Sequence, residues 1–234
     1  MDRAQNPNLE ILKLAVKRLG NLSDEMVFIG GCAVGLLITD KAAPPIRITR
    51  DVDAIVQIAT KSEYYKLSNK LRERGFHEDT SEGAPLCRWV AESVILDVMP
   101  TDSTILGFGN QWYKAAMANS VEVELEPDLK IKIVSSPYFL ITKLEAFNGR
   151  GNGDYLLSHD IEDVIAVLDG RPEIAADVAS APTKLIKELS ERFDDLLNNL
   201  RFVESVAGHL PSDQASQARV PALLKLMKSI VDCL

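Results

Sequence analysis

Two aspartates, Asp51 and Asp53, stand one residue apart in an otherwise apolar stretch, residues 46–58. Read as a strand, the stretch alternates its side chains between two faces. Ile46, Ile48, Val52, Ala54, Val56 and Ile58 make one apolar face, and Arg47, Thr49, Asp51 and Asp53 share the other. Two carboxylates one pleat apart raise each other's pKa unless something positive lies between them. A hard divalent cation, Mg²⁺ or Mn²⁺, satisfies that need, because it takes carboxylate oxygens together with substrate phosphates. A polar edge strand with one solvated face is the alternative on this stretch alone.

The neighbouring elements sharpen the choice. Residues 26–29 read as a short buried strand, and Gly30-Gly31 turns the chain into a small-residue helix over 32–39. A helix N-terminus behind a glycine turn presents backbone N–H groups to phosphate, although a plain tight turn has the same composition. The pattern predicts a later strand over 94–99 in which Asp97 is the only charge. Three carboxylates on adjacent strands can hold two metal ions, one for the attacking oxygen and one for the leaving phosphate.

Around this core the periodicity predicts a helix from residue 9 to 19 with Asn8 as N-cap and Gly20 as stop. Pro44-Pro45 sits in a loop, and a helix over 61–74 stops at Gly75. Strands are expected over 76–78 and 86–90, a helix over 111–118, and a hairpin from 121–125 and 129–134 around Glu126-Pro127-Asp128. From Ser136 the pattern is helical: one helix carries Lys143, a second starts after the N-cap Ser158, and others follow from Pro172, Pro182 and Ser212. The expected class is α+β, with a small mixed sheet in residues 1–135 and a helical region, 136–234, completing the cleft.

The net charge of -8 provides no global basic field for nucleic acid, so such a partner would need a local patch. Lys130 and Lys132, alternating onto one strand face near Arg47, Arg50, Lys143 and Arg150 in the expected cleft, are the residues for such a rim. Scattered solvated charges are the competing reading. Cys32, Cys87 and Cys233 are too widely spaced for a zinc site and fit buried thiols in a reducing compartment. The uncharged run 26–38 is too short to span a bilayer, and residues 1–8 lack the order of a signal peptide. A cytoplasmic protein with no membrane partner is expected.

Gly30-Gly31-x-Ala33, Arg47-x-Thr49-x-Asp51-x-Asp53, Asp97, Lys143-Leu144-x-Ala146 and Asp160-x-x-Asp163 together resemble the nucleotidyltransferase superfamily of the DNA polymerase beta type. Within it the chain looks like the AbiEii/AbiGii-type toxins and their MenT-type relatives, over roughly residues 26–170. The resemblance implies a transfer of NMP from an NTP to an acceptor hydroxyl, with a tRNA 3′ end first among acceptors. It implies Asp51, Asp53 and Asp97 as Mg²⁺ or Mn²⁺ ligands, with Asp97 also the base for that hydroxyl. Gly30, Gly31, Arg47, Thr49 and Lys143 would bind the nucleotide, and Asp160 or Asp163 would orient the lysine, the base or the acceptor. An antitoxin protein is the implied partner of a toxin of this kind. Two other functions fit the same residues: nucleotidylation of a protein or small-molecule acceptor, and a non-catalytic nucleotide-binding module.

Overall fold

The computed structural model describes residues 6–233. Residues 1–5, part of the segment read for a signal peptide, and residue 234 lie outside it. The chain divides into two compact units. One is the chain up to Gly35 with Arg47–Ser135; the other is Leu36–Ile46 with the chain from Ser136 onward. The class is α+β, and among the described residues no helix is long and apolar enough to cross a membrane.

The first unit is built on a seven-stranded mixed sheet: β1 (Met26–Ile29), β2 (Asp51–Val56), β3 (His77–Glu78), β4 (Arg88–Ala91), β5 (Val94–Pro100), β6 (Val121–Glu126) and β7 (Leu129–Ile133). Their spatial order is β3-β4-β5-β2-β1-β7-β6. β2 runs parallel to β5 and antiparallel to β1, which runs parallel to β7, while β4–β5 and β6–β7 are hairpins. All four β1 residues are buried, as are Val52, Ala54, Ile55 and Val56 of β2, so the sheet centre is the core. Among the described residues up to 135 the α-helices are α1 (Pro7–Leu19), α2 (Val34–Leu37), α3 (Lys61–Glu73) and α4 (Tyr113–Ala118). Thr60 and Glu63 close a capping box at the start of α3.

Three expectations are corrected. The cap of α1 is Asn6, which accepts from the Asn8 amide at 3.0 Å, and Asn8 is itself almost wholly buried. The ladder of β2 covers only Asp51–Val56, so residues 46–50 are not strand and Ile48 is exposed. The helix expected over 32–39 is a 3₁₀ turn, Gly31–Ala33, followed by the single turn of α2.

The second unit is helical: α5 (Ser136–Arg150), α6 (His159–Gly170), α7 (Ile174–Ala179), α8 (Thr183–Leu197), α9 (Leu200–Ser205), α10 (Gln214–Gln217) and α11 (Val220–Val231). Helix α5 is buried nearly all round, through Tyr138, Phe139, Leu140, Ile141, Leu144 and Phe147, and therefore sits at the centre. Ser158 caps α6 through the Ile161 amide. The segment 36–46 joins this unit through the amides of Thr39 and Asp40, each 2.9 Å from the Gly170 carbonyl. The Ile38 side chain fills the space that a Cβ at Gly170 would take.

Candidate active site

The register of the sheet assembles the three carboxylates on one face. Asp53 lies directly beside Asp97 in the parallel β2–β5 pair, and Asp51 is one pleat away on β2. On the other side of β5, Arg88 is the antiparallel partner of Asp97. A row of three charged side chains, Arg88, Asp97 and Asp53, therefore crosses β4, β5 and β2, with Asp51 next to it. All of them belong to the first unit.

The Gly30-Gly31 turn closes one end of this row. Gly30 has φ +73°, the left-handed region where glycine is favoured. A Cβ there would lie 1.9 Å from an Asp53 carboxylate oxygen, so that carboxylate rests directly over the Gly30 backbone. At Gly31 a Cβ would meet the Arg47 guanidinium at 2.7 Å and Thr49 Oγ1 at 3.3 Å. Gly30, Gly31, Arg47, Thr49, Asp51, Asp53 and Asp97 are thus brought together. Thr49 Oγ1 donates to Asp51 Oδ1 at 2.7 Å and fixes that carboxylate from below.

Residues 47–49 hold their place without a ladder because Asn8 substitutes for one. Its Nδ2 donates to the Arg47 carbonyl at 2.9 Å, and its Oδ1 accepts from the Thr49 amide at 3.0 Å. A buried side-chain amide satisfying two backbone groups is a specific anchor. Sequence reading gave Asn8 to the helix cap; its partners lie about forty residues away, beyond any local pattern.

Arg88 is the other residue that sequence reading missed. Its Nε donates to Asp97 Oδ1 at 2.8 Å and its Nη2 to Asp97 Oδ2 at 2.7 Å, a bidentate fork. The same Nη2 reaches Asp51 Oδ2 at 3.0 Å. The Asp97 hydrogen bond and the Asp97 and Asp51 charges raise the Arg88 pKa against the opposing effect of burial. Burial, then the charges of Asp97 and Asp53, pushes the adjacent Cys87 thiol up to about 12, so it is an inert thiol beside the carboxylates.

In the second unit Lys143, Asp160 and Asp163 also meet, within the α5–α6 pair. Lys143 Nζ lies 2.7 Å from Asp163 Oδ2 and 3.2 Å from Asp160 Oδ1. Arg150, two turns further along the same face of α5, forks onto Asp160 with contacts of 2.9 and 2.8 Å. Burial opposes ionisation of Asp160, but the Arg150 hydrogen bond and the Lys143 and Arg150 charges win and its pKa is lowered. Two of the three Lys143 ammonium donors are thus directed at aspartates, which makes this a closed ionic network.

The two lysines expected in a basic rim face glutamates of their own hairpin. Lys130 is opposite Glu124 and pairs with Glu122 at 3.1 Å, and Lys132 is opposite Glu122 with its Nζ 3.3 Å from the Asp24 carbonyl. Cross-strand opposite charges of this kind stabilise the hairpin rather than leave a net positive face.

Against solved structures the chain is similar to an antigenic nucleotidyltransferase-like protein from Paracoccidioides brasiliensis. The match covers 91% of this chain and 97% of that one, with a TM-score of 0.57 and 18% identity. The chain has a nucleotidyltransferase-like fold. No protein-family model matches it, and no curated protein does.

A nucleotidyltransferase-like fold raises the question of a cation. Among the described residues no group of three or more His, Cys, Asp or Glu side chains is placed to hold a metal ion. Mg²⁺ does not need one, because it keeps waters and uses one or two carboxylates plus substrate phosphates. Asp51 and Asp53 supply hard oxygens on one face, and the missing Cβ at Gly30 makes room for the Asp53 carboxylate itself. That donor set fits.

Proposed function

We propose that the protein is a divalent-metal-dependent nucleotidyltransferase that moves NMP from an NTP to an acceptor hydroxyl. The observation that carries this reading is the Asp53–Asp97 pair on parallel neighbours, with Asp51 one pleat away and a glycine turn against Asp53. Asp51 and Asp53, beside Asp97, would hold Mg²⁺, or Mn²⁺ in its place. The ion would supply neutralisation of charge on the attacking and leaving oxygens.

The chain's own residues do the rest. Gly31 lets the Arg47 guanidinium close on the turn, where it would meet phosphate, with Thr49 beside it holding Asp51. Asp97, held in place by the Arg88 fork, accepts the proton of the acceptor hydroxyl. The acceptor oxygen then bonds to the α-phosphorus, and the bond to the β-phosphate oxygen breaks and releases pyrophosphate. Positioning and charge neutralisation carry the rate. Lys143, Asp160 and Asp163, in the second unit, form an ordered ionic network of their own.

Among acceptors the motif resemblance favours a tRNA 3′ end, with an antitoxin protein as partner and the cytoplasm as the setting. With Lys130 and Lys132 facing glutamates of their own hairpin, exposed Arg50, next to Asp51, is the cation proposed to meet that acceptor. The test is incubation with Mg²⁺, cellular RNA and protein, and NTP labelled at the α- or the γ-phosphate in parallel. The reading expects α-label on RNA and γ-label in pyrophosphate. Label on protein or small molecules moves the acceptor; γ-label on any acceptor refutes nucleotidyl transfer.

A further inference from the structure

Arg88 raises a question that the transfer reaction leaves open. A fixed positive charge lies among the carboxylates proposed to hold a divalent cation, so cation and guanidinium compete for the same oxygens. The competition is unequal. Asp97 receives two contacts, at 2.8 and 2.7 Å, and its side chain is only 9% exposed. Asp51 receives one, at 3.0 Å, from an Nη2 already committed to Asp97, and its side chain is 33% exposed. The other Asp51 oxygen is held by Thr49, so the carboxylate keeps its place when Arg88 lets go.

We infer that Arg88 is a positioning residue that acts as a resident counter-cation. It holds Asp97 permanently and Asp51 conditionally, and a divalent ion binds by displacing it from Asp51. This rests on the proposed metal-binding role of the carboxylates. The function of such a device is to hold the mutually repelling carboxylates in order before the ion arrives. Its consequence is weak binding of the bare ion. An NTP brings phosphate oxygens that supply the missing negative ligands, so the site fills as a metal–nucleotide unit rather than with metal alone.

A merely structural Arg88 makes the opposite prediction for affinity. Removing a structural partner would leave Asp97 buried and unpaired, lower stability, and leave ion binding the same or weaker. Removing a counter-cation lowers stability too, but strengthens ion binding, because the oxygens lose their competitor.

The experiment measures Mn²⁺ alone, without nucleotide, by the loss of its free electron paramagnetic resonance signal as full-length protein is added. Arg88→Met is expected to bind Mn²⁺ at least tenfold more tightly than wild type while melting at a lower temperature in metal-free buffer. Arg88→Lys retains the charge and is expected within threefold of wild type. If Arg88→Met does not fold, Arg88→Gln is neutral, can still donate to Asp97, and carries the same expectation. Affinity that is unchanged or reduced in the neutral variant overturns the inference. If neither wild type nor the neutral variant takes up Mn²⁺, or Asp51→Asn and Asp53→Asn leave uptake unchanged, the metal site itself is wrong and the inference fails with it.

Discussion

Replacing Asp163 by alanine tests whether the ionic network of α5 and α6 is as closed as its geometry implies. Lys143 and Asp163 are 2.7 Å apart with side chains 10% and 2% exposed, so water screens the pair little. Breaking a buried pair by removing one partner costs about 3–5 kcal/mol, because the remaining charge stays desolvated. Asp160, 3.2 Å from the ammonium, still compensates Lys143 in part. The expected cost therefore lies at the low end, about 3 kcal/mol. For a chain of this size that corresponds to a fall in Tm of roughly 6–12 °C. Far-UV circular dichroism is the suitable probe, because both tryptophans, Trp89 and Trp112, lie in the other unit. The double variant Lys143→Met, Asp163→Leu should recover much of the loss, since an apolar pair of similar volume can replace a buried ion pair. A loss below about 1 kcal/mol, the value of an exposed pair, would refute the reasoning.

Three further outcomes are expected. Gly30→Ala combines a positive φ with a Cβ 1.9 Å from the Asp53 carboxylate, so nucleotidyl transfer should fall at least about tenfold; wild-type turnover would show that Asp53 is not where the chemistry needs it. Asn8→Ala removes both bonds to residues 47–49 at a cost of about 1–3 kcal/mol, and the Thr49 amide should exchange with deuterium measurably faster. Asp160 has a folded pKa below its ordinary 3.8, so its contribution is fully present above that value and is lost as pH falls through the folded one. Urea midpoints between pH 5 and 2.5 should therefore drop more steeply below pH 3.8 for wild type than for Asp160→Asn.

Much of the carboxylate face was legible in the sequence because its determinants are local. Alternation places Asp51 and Asp53 on one face wherever the strand is drawn, and Gly30-Gly31 marks a turn after an unmistakable apolar run. Arg88 was equally available. Counting outward from the Glu92-Ser93 turn pairs Ala91 with Val94 and, three residues further on each side, Arg88 with Asp97. Two lone charges facing each other across a hairpin are a readable ion pair. Asn8 was not readable, because its partners are fixed by packing of α1 and not by spacing. The same cause explains the shortness of β2: the backbone of 47–49 bonds to Asn8, so those residues leave the ladder. The alternation of Lys130 and Lys132 is matched by that of Glu122 and Glu124 on the other arm, and only the register of the hairpin sets them face to face.

The central claim is that the Asp51–Asp53–Asp97 face performs nucleotidyl transfer, and its most direct test is a single-turnover reaction on folded carboxylate variants. Wild type and Asp53→Asn, matched by circular dichroism, are mixed with α-³²P-labelled NTP, Mg²⁺ and the acceptor fraction that wild type labels, and covalent label is followed with time. The account predicts label on the acceptor with wild type and at least a hundredfold slower labelling with Asp53→Asn, a rise of about 2.7 kcal/mol in the barrier. Equal labelling by the two proteins would contradict it.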